Sequence, residues 1–254
     1  MDIKNKVVFI SGGASGLGLA TAIHLQNQGA KIYICDVNKY VLDEVKEKYS
    51  FAGNICDVRD EAQAENTVQD CETTLGNIQI CVNCAGVAPA KKILSKKGVM
   101  PLESFQNAIN INLVGTFNIM KFCAASMSNA IPDSETAEKG VIINTASIAA
   151  FEGQVGQTAY SASKGGVVAM TLPAARELAD IPIRVVTISP GLMETPMLMG
   201  MPENVKESLA QQPPFPKRFG KPDEYARLVK EIVTNPMING TTIRFDGAMR
   251  MQAR

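Results

Sequence analysis

Short runs of β-branched and other apolar residues alternate along this chain with longer stretches whose apolar positions recur at helical spacing. The runs KVVFI (6–10), KIYIC (31–35), AGNIC (52–56), IQICVN (78–83), GVIINTA (140–146), IRVVTIS (183–189) and TTIRF (241–245) are predicted strands, with helices in most of the gaps between them. Strands this apolar have no face for water, so they predict a parallel sheet covered on both sides and joined by right-handed crossovers. The expected fold is α/β and doubly wound. No linker rich in Pro, Gly and Ser divides the sequence, and residues 1–254 read as a single domain. The loosest stretches are an insertion at about 88–103 and a segment at 190–222 that holds seven prolines. Long loops at strand ends are where sites are usually built.

Composition narrows the function. With 46% hydrophobic and 20% charged residues the chain can bury a core and lies outside the range of disordered sequences. Lys plus Arg balances Asp plus Glu at 25 each, which gives no electrostatic footprint for nucleic acid or a membrane surface. Small-molecule partners are expected. No apolar stretch approaches the roughly 18 residues of a membrane span. The first ten residues carry Asp2 where a secretory signal would be basic. The six cysteines, at 35, 56, 71, 81, 84 and 123, fall mostly in apolar strand-like contexts, as reduced thiols of a cytosol-like compartment would. Cys81 and Cys84 have CxxC spacing, but there is no second pair and His24 is the only histidine. They read as small core hydrophobes, and no metal site is expected.

The first strand runs into SGGASGLG, where Gly12, Gly16 and Gly18 would let the backbone turn sharply, approach a pyrophosphate and start a helix. The spacing GxxxGxG is by itself also compatible with a plain tight turn. Asp36 follows the second strand, where a carboxylate can bind both ribose hydroxyls of NAD and repel the 2′-phosphate of NADP. Neither Ala14 nor Ser15 offers a cation to that phosphate, and Lys39 is the nearby charge that argues the other way. A helix N-cap is the competing role for Asp36.

Chemistry is expected at the carboxyl ends of the later strands. There Tyr160 and Lys164 stand four apart on a predicted helix and share a face, and Ser147 ends the preceding strand. A neighbouring ammonium would lower the phenol's pKa, so that Tyr160 could exchange a proton with a substrate hydroxyl or carbonyl while Ser147 holds the substrate oxygen. Lys164 would also bind the nicotinamide ribose. A bare YxxxK pair also occurs by chance on exposed helices.

Gly12-x-x-x-Gly16-x-Gly18, Asp57-Val58, Asn83-Cys84-Ala85-Gly86, Asn112, Ser147, Tyr160-Ser-Ala-Ser-Lys164 and Pro190-Gly191 follow one another in an order and spacing that resemble the short-chain dehydrogenase/reductase family. The resemblance spans nearly the whole chain. It implies a Rossmann-type fold with a seven-stranded parallel sheet flanked by helices on both faces, and a catalytic tetrad of Asn112, Ser147, Tyr160 and Lys164. In that tetrad Asn112 would hold a water linking Lys164 to solvent. It also implies cofactor contacts from Ser11, Gly12, Ser15, Gly16, Leu17, Gly18, Asp36, Asp57, Val58, Asn83, Ala85, Gly86, Pro190 and Gly191, beside Tyr160 and Lys164. Asp57 and Val58 would flank adenine, and Pro190-Gly191 would lie by the nicotinamide. Two departures stand out: Ser11 where Thr is usual, and Cys84 for the second Asn of NNAG, which predicts lost side-chain hydrogen bonds.

GGASGLGLAT, GVIINTAS with AAFEGQVGQ, AYSASKGG and IRFDGAMRMQ, together with the insertion around Lys91 to Met100, resemble the 3-hydroxyacyl-CoA dehydrogenases within that family. This implies NAD-dependent interconversion of 3-hydroxyacyl-CoA and 3-ketoacyl-CoA, a homotetramer, and Gln154 as a substrate contact. Met1 to Lys6 shows no evident transit peptide, so a cytoplasmic location is expected, or the mitochondrial matrix in a eukaryote. After Pro190, the residues Leu192, Met193, Met197, Leu198, Met199 and Met201 form an adaptable apolar surface, with Phe215 nearby. They could close as a lid (about 192–220) over an acyl chain or steroid, or simply pack a helix on the core. Lys91, Lys92, Lys96 and Lys97 could attract CoA phosphates or form a solvated face. Two alternatives remain open beside the acyl-CoA enzyme: a dehydrogenase of hydroxysteroids or other secondary alcohols, and a non-catalytic NAD-binding scaffold. The complete set of Asn112, Ser147, Tyr160 and Lys164 argues against the second.

Overall fold

Seven of the nine strands in the computed structural model form one parallel sheet; the model describes residues 1–132, 138–200 and 203–253. In chain order the strands are β1 (Val7–Ser11), β2 (Lys31–Asp36), β3 (Ala52–Ile55), β4 (Ile80–Asn83), a short antiparallel pair β5 (Leu94–Ser95) and β6 (Gly98–Val99), then β7 (Gly140–Thr145), β8 (Ile183–Pro190) and β9 (Thr242–Phe245). The large sheet has the order β3-β2-β1-β4-β7-β8-β9, with every neighbouring pair parallel. The order reverses between β1 and β4, which opens a crevice at their carboxyl ends.

All seven predicted strands are present, and alternation along them explains the two-sided burial. On β1, Val8 and Ile10 face one apolar layer and Val7 and Phe9 the other. The helices α1 (Gly16–Gln26), α2 (Lys39–Tyr49) and α9 (Pro222–Thr234) bury Leu25, Leu42, Tyr225 and Val229 in the first layer. The helices α3 (Glu61–Leu75), α5 (Gly115–Ser128) and α6 (Thr158–Glu177) bury Val68, Cys71, Ile119, Cys123 and Ala174 in the second. All six cysteines are free thiols, five of them buried. Among the described residues no group of His, Cys, Asp and Glu is arranged to hold a metal ion, and no helix is long and apolar enough to cross a membrane.

Side-chain caps set several helix starts. Asn38 accepts from the Val41 N–H at α2, and Asp60 accepts from the Gln63 N–H at α3. Asp36 is thus not the cap of α2, which removes the competing role for it. The stretch 190–222, read as loose, contains α7 (Pro196–Met199) and α8 (Glu203–Ala210). Thr195 and Pro196 supply an N-cap and an N1 position that composition alone hid. The insertion at 88–103 carries the β5–β6 pair, with Lys96 and Lys97 at its turn. It then leads into α4 (Leu102–Ile109), which joins α5 through a single π turn at Asn110–Val114. Such π turns are rare and recur at functional sites.

Candidate active site

At the carboxyl end of β1 the chain turns between β1 and α1 with almost no room to spare. A Cβ on Gly12 would lie 2.6 Å from the Ala85 nitrogen, and one on Gly18 would lie 2.2 Å from the Gly12 carbonyl oxygen. Gly12 also has φ +65°, a conformation that glycine adopts without strain. The turn delivers the N-terminus of α1 to the crevice. Ser15 at its N-cap makes no side-chain cap bond, and the first turn holds no acid. Such an end suits a pyrophosphate. Gly18→Ala is expected to destabilise the fold by about 2 kcal/mol and to weaken dinucleotide binding at least about ten-fold, because the new Cβ meets backbone that cannot move away cheaply. Thermal denaturation and a fluorescence titration with NADH measure the two effects.

Asp36 ends β2 beside this turn. Its carboxylate accepts from the Ala14 N–H at 3.3 Å and the Asn38 N–H at 3.1 Å, which fixes it against the cradle. Lys39, the cation that argued for NADP, pairs with Asp43 at 2.6 Å. Further along the same edge Asp57 is clamped by Arg59, whose Nε lies 3.0 Å from both carboxylate oxygens, and the guanidinium holds that carboxyl below its usual range. Arg59 also reaches Asn107 at 3.1 Å. Val58 is buried, and its carbonyl accepts from Asn118 at 3.0 Å.

The side chains of Ser11 and Asn83 are engaged with neighbouring strands. The Ser11 hydroxyl donates to Asn83 Oδ1 at 3.0 Å, and Asn83 Nδ2 donates to Asn144 Oδ1 at 2.9 Å. These side chains tie β1, β4 and β7 together, leaving backbone as their route to a ligand. Pro190 ends β8, and the Gly191 N–H donates to the Phe245 carbonyl at 3.0 Å.

The four predicted tetrad residues converge beyond β4 and β7. Lys164 is 5% exposed, and its Nζ donates to the Thr145 carbonyl at 2.7 Å. Burial pushes this ammonium down to about 8. A Cβ on Gly86 would lie 3.0 Å from Asn112 Oδ1 and 3.4 Å from Lys164 Nζ, so both side chains meet at one point of the loop after β4. Asn112 lies in the π turn and is fully buried. Its Oδ1 accepts from the Val87 N–H at 2.8 Å, and its Nδ2 donates to the Val87 carbonyl and to Ser163 Oγ, each at 2.9 Å. Ser147 caps a short 3₁₀ turn, its Oγ accepting from the Ala149 N–H at 3.1 Å. Ser147 lies close enough to the Tyr160 phenol to lower its pKa, but burial is the larger influence and raises it. The expected lowering of the phenol by Lys164 is therefore not the dominant effect here; the ammonium is turned to the Thr145 carbonyl.

Cys84 corrects another expectation. It does not lose its side-chain partners: Thr145 Oγ1 donates to its Sγ at 3.6 Å, and the thiol donates to Tyr225 Oη at 3.9 Å. Nothing in the sequence linked positions 84, 145 and 225.

Gln154 donates through Nε2 to the Gln252 carbonyl at 3.1 Å, and the Val155 N–H donates to the Ala253 carbonyl at 3.0 Å. Arg244 braces this segment through Glu152, at 2.8 and 3.0 Å, and through the Phe151 ring. A cavity of about 250 Å³ opens beside it between the insertion, α4 and the start of α6, lined by Pro89, Lys91, Met100, Ser104, Asn107 and Gly156 among others. All four insertion lysines are exposed, and of them Lys91 borders the cavity, donating to Ser104 Oγ at 3.1 Å. The apolar segment after Pro190 is split. Met193 and Leu198 are buried, Met193 within the main core, whereas Met199 and Phe215 are exposed at 48% and 83%. Met201 and the side chain of Met197 lie outside the described residues.

Comparison with known proteins agrees with this geometry. Residues 6–206 match the family described as short chain dehydrogenase. The chain is 50% identical to proteins named 3-hydroxyacyl-CoA dehydrogenase type-2 from Rattus norvegicus and Homo sapiens, over 99% of its own length and 97% of theirs. A solved structure of 3-hydroxyacyl-CoA dehydrogenase type-2 from Mycobacterium avium superposes with a TM-score of 0.92 over the whole of both chains, at 34% identity. A crevice with a glycine cradle at one end, Tyr160 and Lys164 at the other, and this likeness over the full sheet have one explanation: the chain belongs to the short-chain dehydrogenase family of nicotinamide-dependent oxidoreductases.

Proposed function

We propose that the protein interconverts 3-hydroxyacyl-CoA and 3-ketoacyl-CoA with NAD, using Tyr160 as general acid and base. The observation that carries this is the convergence of Ser147, Tyr160 and Lys164 beyond β7, in a chain half identical to relatives named for that substrate. NAD supplies the hydride acceptor in oxidation and, reduced, the donor in the reverse direction. Gly12, Ser15, Gly16, Leu17 and Gly18 would cradle its pyrophosphate, Asp36 its adenosine ribose, and Asp57 and Val58 its adenine. Ala85, Gly86, Pro190 and Gly191 would line the nicotinamide half through backbone. The fit is supported by a turn too tight for any Cβ at Gly12 or Gly18, and by an α1 N-terminus without an acid.

Ser147 holds the substrate oxygen by hydrogen bond, and the Tyr160 phenol gives that oxygen a proton during reduction or takes one during oxidation. A buried phenol with a raised pKa is well suited to donate. To act as base it would need the ammonium of Lys164, one turn later on α6, to stabilise the phenolate. Lys164, pushed down to about 8, loses that charge in the mildly alkaline range. Asn112 holds the π turn against Val87 and Ser163 where its Oδ1 and Lys164 Nζ both approach Gly86, and it would hold a water linking Lys164 to solvent. Ketone reduction is accordingly expected to fall as pH rises through about 8, measured as a pH profile of kcat.

Asp36, held at the cradle and with Lys39 engaged by Asp43, favours NAD over NADP. Asp36→Ala is expected to reduce the NADH to NADPH preference at least about ten-fold in kcat/KM, since the carboxylate that repels a 2′-phosphate is gone. The substrate assignment is tested by comparing acetoacetyl-CoA with a 17-ketosteroid under NADH. A thioester preference of at least about a hundred-fold in kcat/KM supports it. Equal or better turnover of the steroid returns the protein to the secondary-alcohol dehydrogenases. The exposed Lys92, Lys96 and Lys97 would attract the CoA phosphates, and Gln154 would reach the acyl end by leaving the Gln252 carbonyl. The same reading takes the assembly as a homotetramer in a reducing compartment, the cytoplasm or, in a eukaryote, the mitochondrial matrix.

A further inference from the structure

Thr145, Cys84 and Tyr225 close a ring of hydrogen bonds beneath the catalytic lysine. Thr145 Oγ1 donates to Cys84 Sγ at 3.6 Å, the Cys84 thiol donates to Tyr225 Oη at 3.9 Å, and Tyr225 Oη lies 2.7 Å from Thr145 Oγ1. Each of the three groups carries one hydrogen. With the Thr145 hydrogen committed to Cys84 and the Cys84 hydrogen to Tyr225, Tyr225 must donate to Thr145. The ring then satisfies every member once as donor and once as acceptor. The sulfur contacts are long and weak, so the short hydroxyl pair does most of the fixing.

Two features make the ring more than a buried polar patch. First, Thr145 is the residue whose carbonyl receives Lys164 Nζ at 2.7 Å; the Ala146 N–H of that peptide donates to the Ile188 carbonyl at 2.8 Å, and the Thr145 side chain is its second tether. Second, Tyr225 comes from α9, which no family motif in the sequence includes, and it is fully buried there. Its position is set by the first turn of α9, where the Glu224 carboxylate accepts from the Lys221 N–H at 2.8 Å and is gripped by Arg218 at 2.7 and 2.8 Å. The phenol has no route to solvent, and burial raises its pKa well above the usual value, so it stays protonated and remains a donor throughout the working pH range.

We propose that Tyr225 is a positioning residue for the reaction: through Thr145, its hydroxyl holds the carbonyl that orients Lys164. This rests on the reading of Lys164 as part of the catalytic set. Near Lys164 Nζ are the Cys84 thiol after β4 and Asn112 Oδ1 of the π turn; Tyr160 stands one turn earlier on α6, and Tyr225 lies across Thr145.

Tyr225→Phe keeps the ring packing and deletes only the hydroxyl, and Thr145→Val deletes the next group in line. Each is expected to lower kcat about five-fold to thirty-fold. The double variant should be no worse than Thr145→Val alone, because both act through one carbonyl. Val229→Ala, buried in α9 outside the ring, should lower stability and leave kcat within about two-fold. A readout independent of turnover is the titration of Lys164 by carbon NMR of labelled lysine, assigned with Lys164→Arg. The native midpoint is expected at about 8, and in Tyr225→Phe it should fall further, since the carbonyl that favours the charged form is no longer held in place. An unchanged midpoint with unchanged kcat overturns the proposal, as does full additivity of the two variants. If Lys164→Ala itself turns over normally, the reading of the active site fails, while a shifted midpoint in Tyr225→Phe would still support the link from α9 to the lysine.

Discussion

Tyr160→Phe is expected to reduce turnover in both directions by about a thousand-fold or more, while the affinity for NADH stays within about two-fold. The phenol is a group beside Ser147 that can pass a proton to a substrate oxygen. Removing its oxygen leaves the aromatic ring to fill the same half-buried space, so the fold and the glycine cradle some distance away should not respond. Single-turnover kinetics separate this loss from product release, and a fluorescence titration with NADH measures the affinity. Turnover within about ten-fold of wild type would remove Tyr160 as the acid and base. A collapse of NADH affinity would instead give Tyr160 mainly a binding role.

Lys164→Met should abolish most turnover and at the same time stabilise the fold at neutral pH. A lysine titrates near 10.4 in the unfolded chain, and burial holds Lys164 at about 8 in the fold. The folded state therefore binds this proton less tightly, and the cost of burying the charge is fully present below about 8. That cost fades as pH rises from about 8 towards the unfolded value, because the folded lysine is then already neutral. The shift corresponds to about 3 kcal/mol, from which the lost bond to the Thr145 carbonyl subtracts about 1 kcal/mol. Methionine matches the length and volume of the side chain and carries no charge. The variant should gain about 2 kcal/mol at pH 7 in denaturant titrations, and the gain should shrink above pH 9 or so. A loss of stability at pH 7 would show that the contact with Thr145 outweighs the burial of the charge.

The sheet was legible because its strands are buried on both faces, and a two-sided strand writes itself as a continuous apolar run. All seven predicted runs pair in the large sheet, with ends displaced by one or two residues where a turn begins: the first was read as 6–10 and pairs over Val7–Ser11. The places of Gly12, Gly18, Asp36 and Ser147 at strand ends, and of Tyr160 and Lys164 on one helix, were legible because each depends on local spacing. Other parts depend on residues far apart in the chain. Cys84 was read as a lost partner because its partners, Thr145 and Tyr225, come from another strand and another helix. The side chains of Ser11 and Asn83 tie neighbouring strands to each other, a link between positions 72 and 61 residues apart that local spacing does not reveal. The methionine-rich segment looked uniform in sequence, yet Met193 packs in the core while Met199 is exposed, since a helix turns successive apolar residues in different directions.

The most direct test of the account is the fate of a label. The protein is given acetoacetyl-CoA with NADH deuterated at the transferable position of the nicotinamide, and the product is read by mass spectrometry. Hydride transfer to the ketone should give 3-hydroxybutyryl-CoA that carries the deuterium on carbon 3, formed faster with NADH than with NADPH. Unlabelled product, or no product from an otherwise folded and NADH-binding protein, would contradict it.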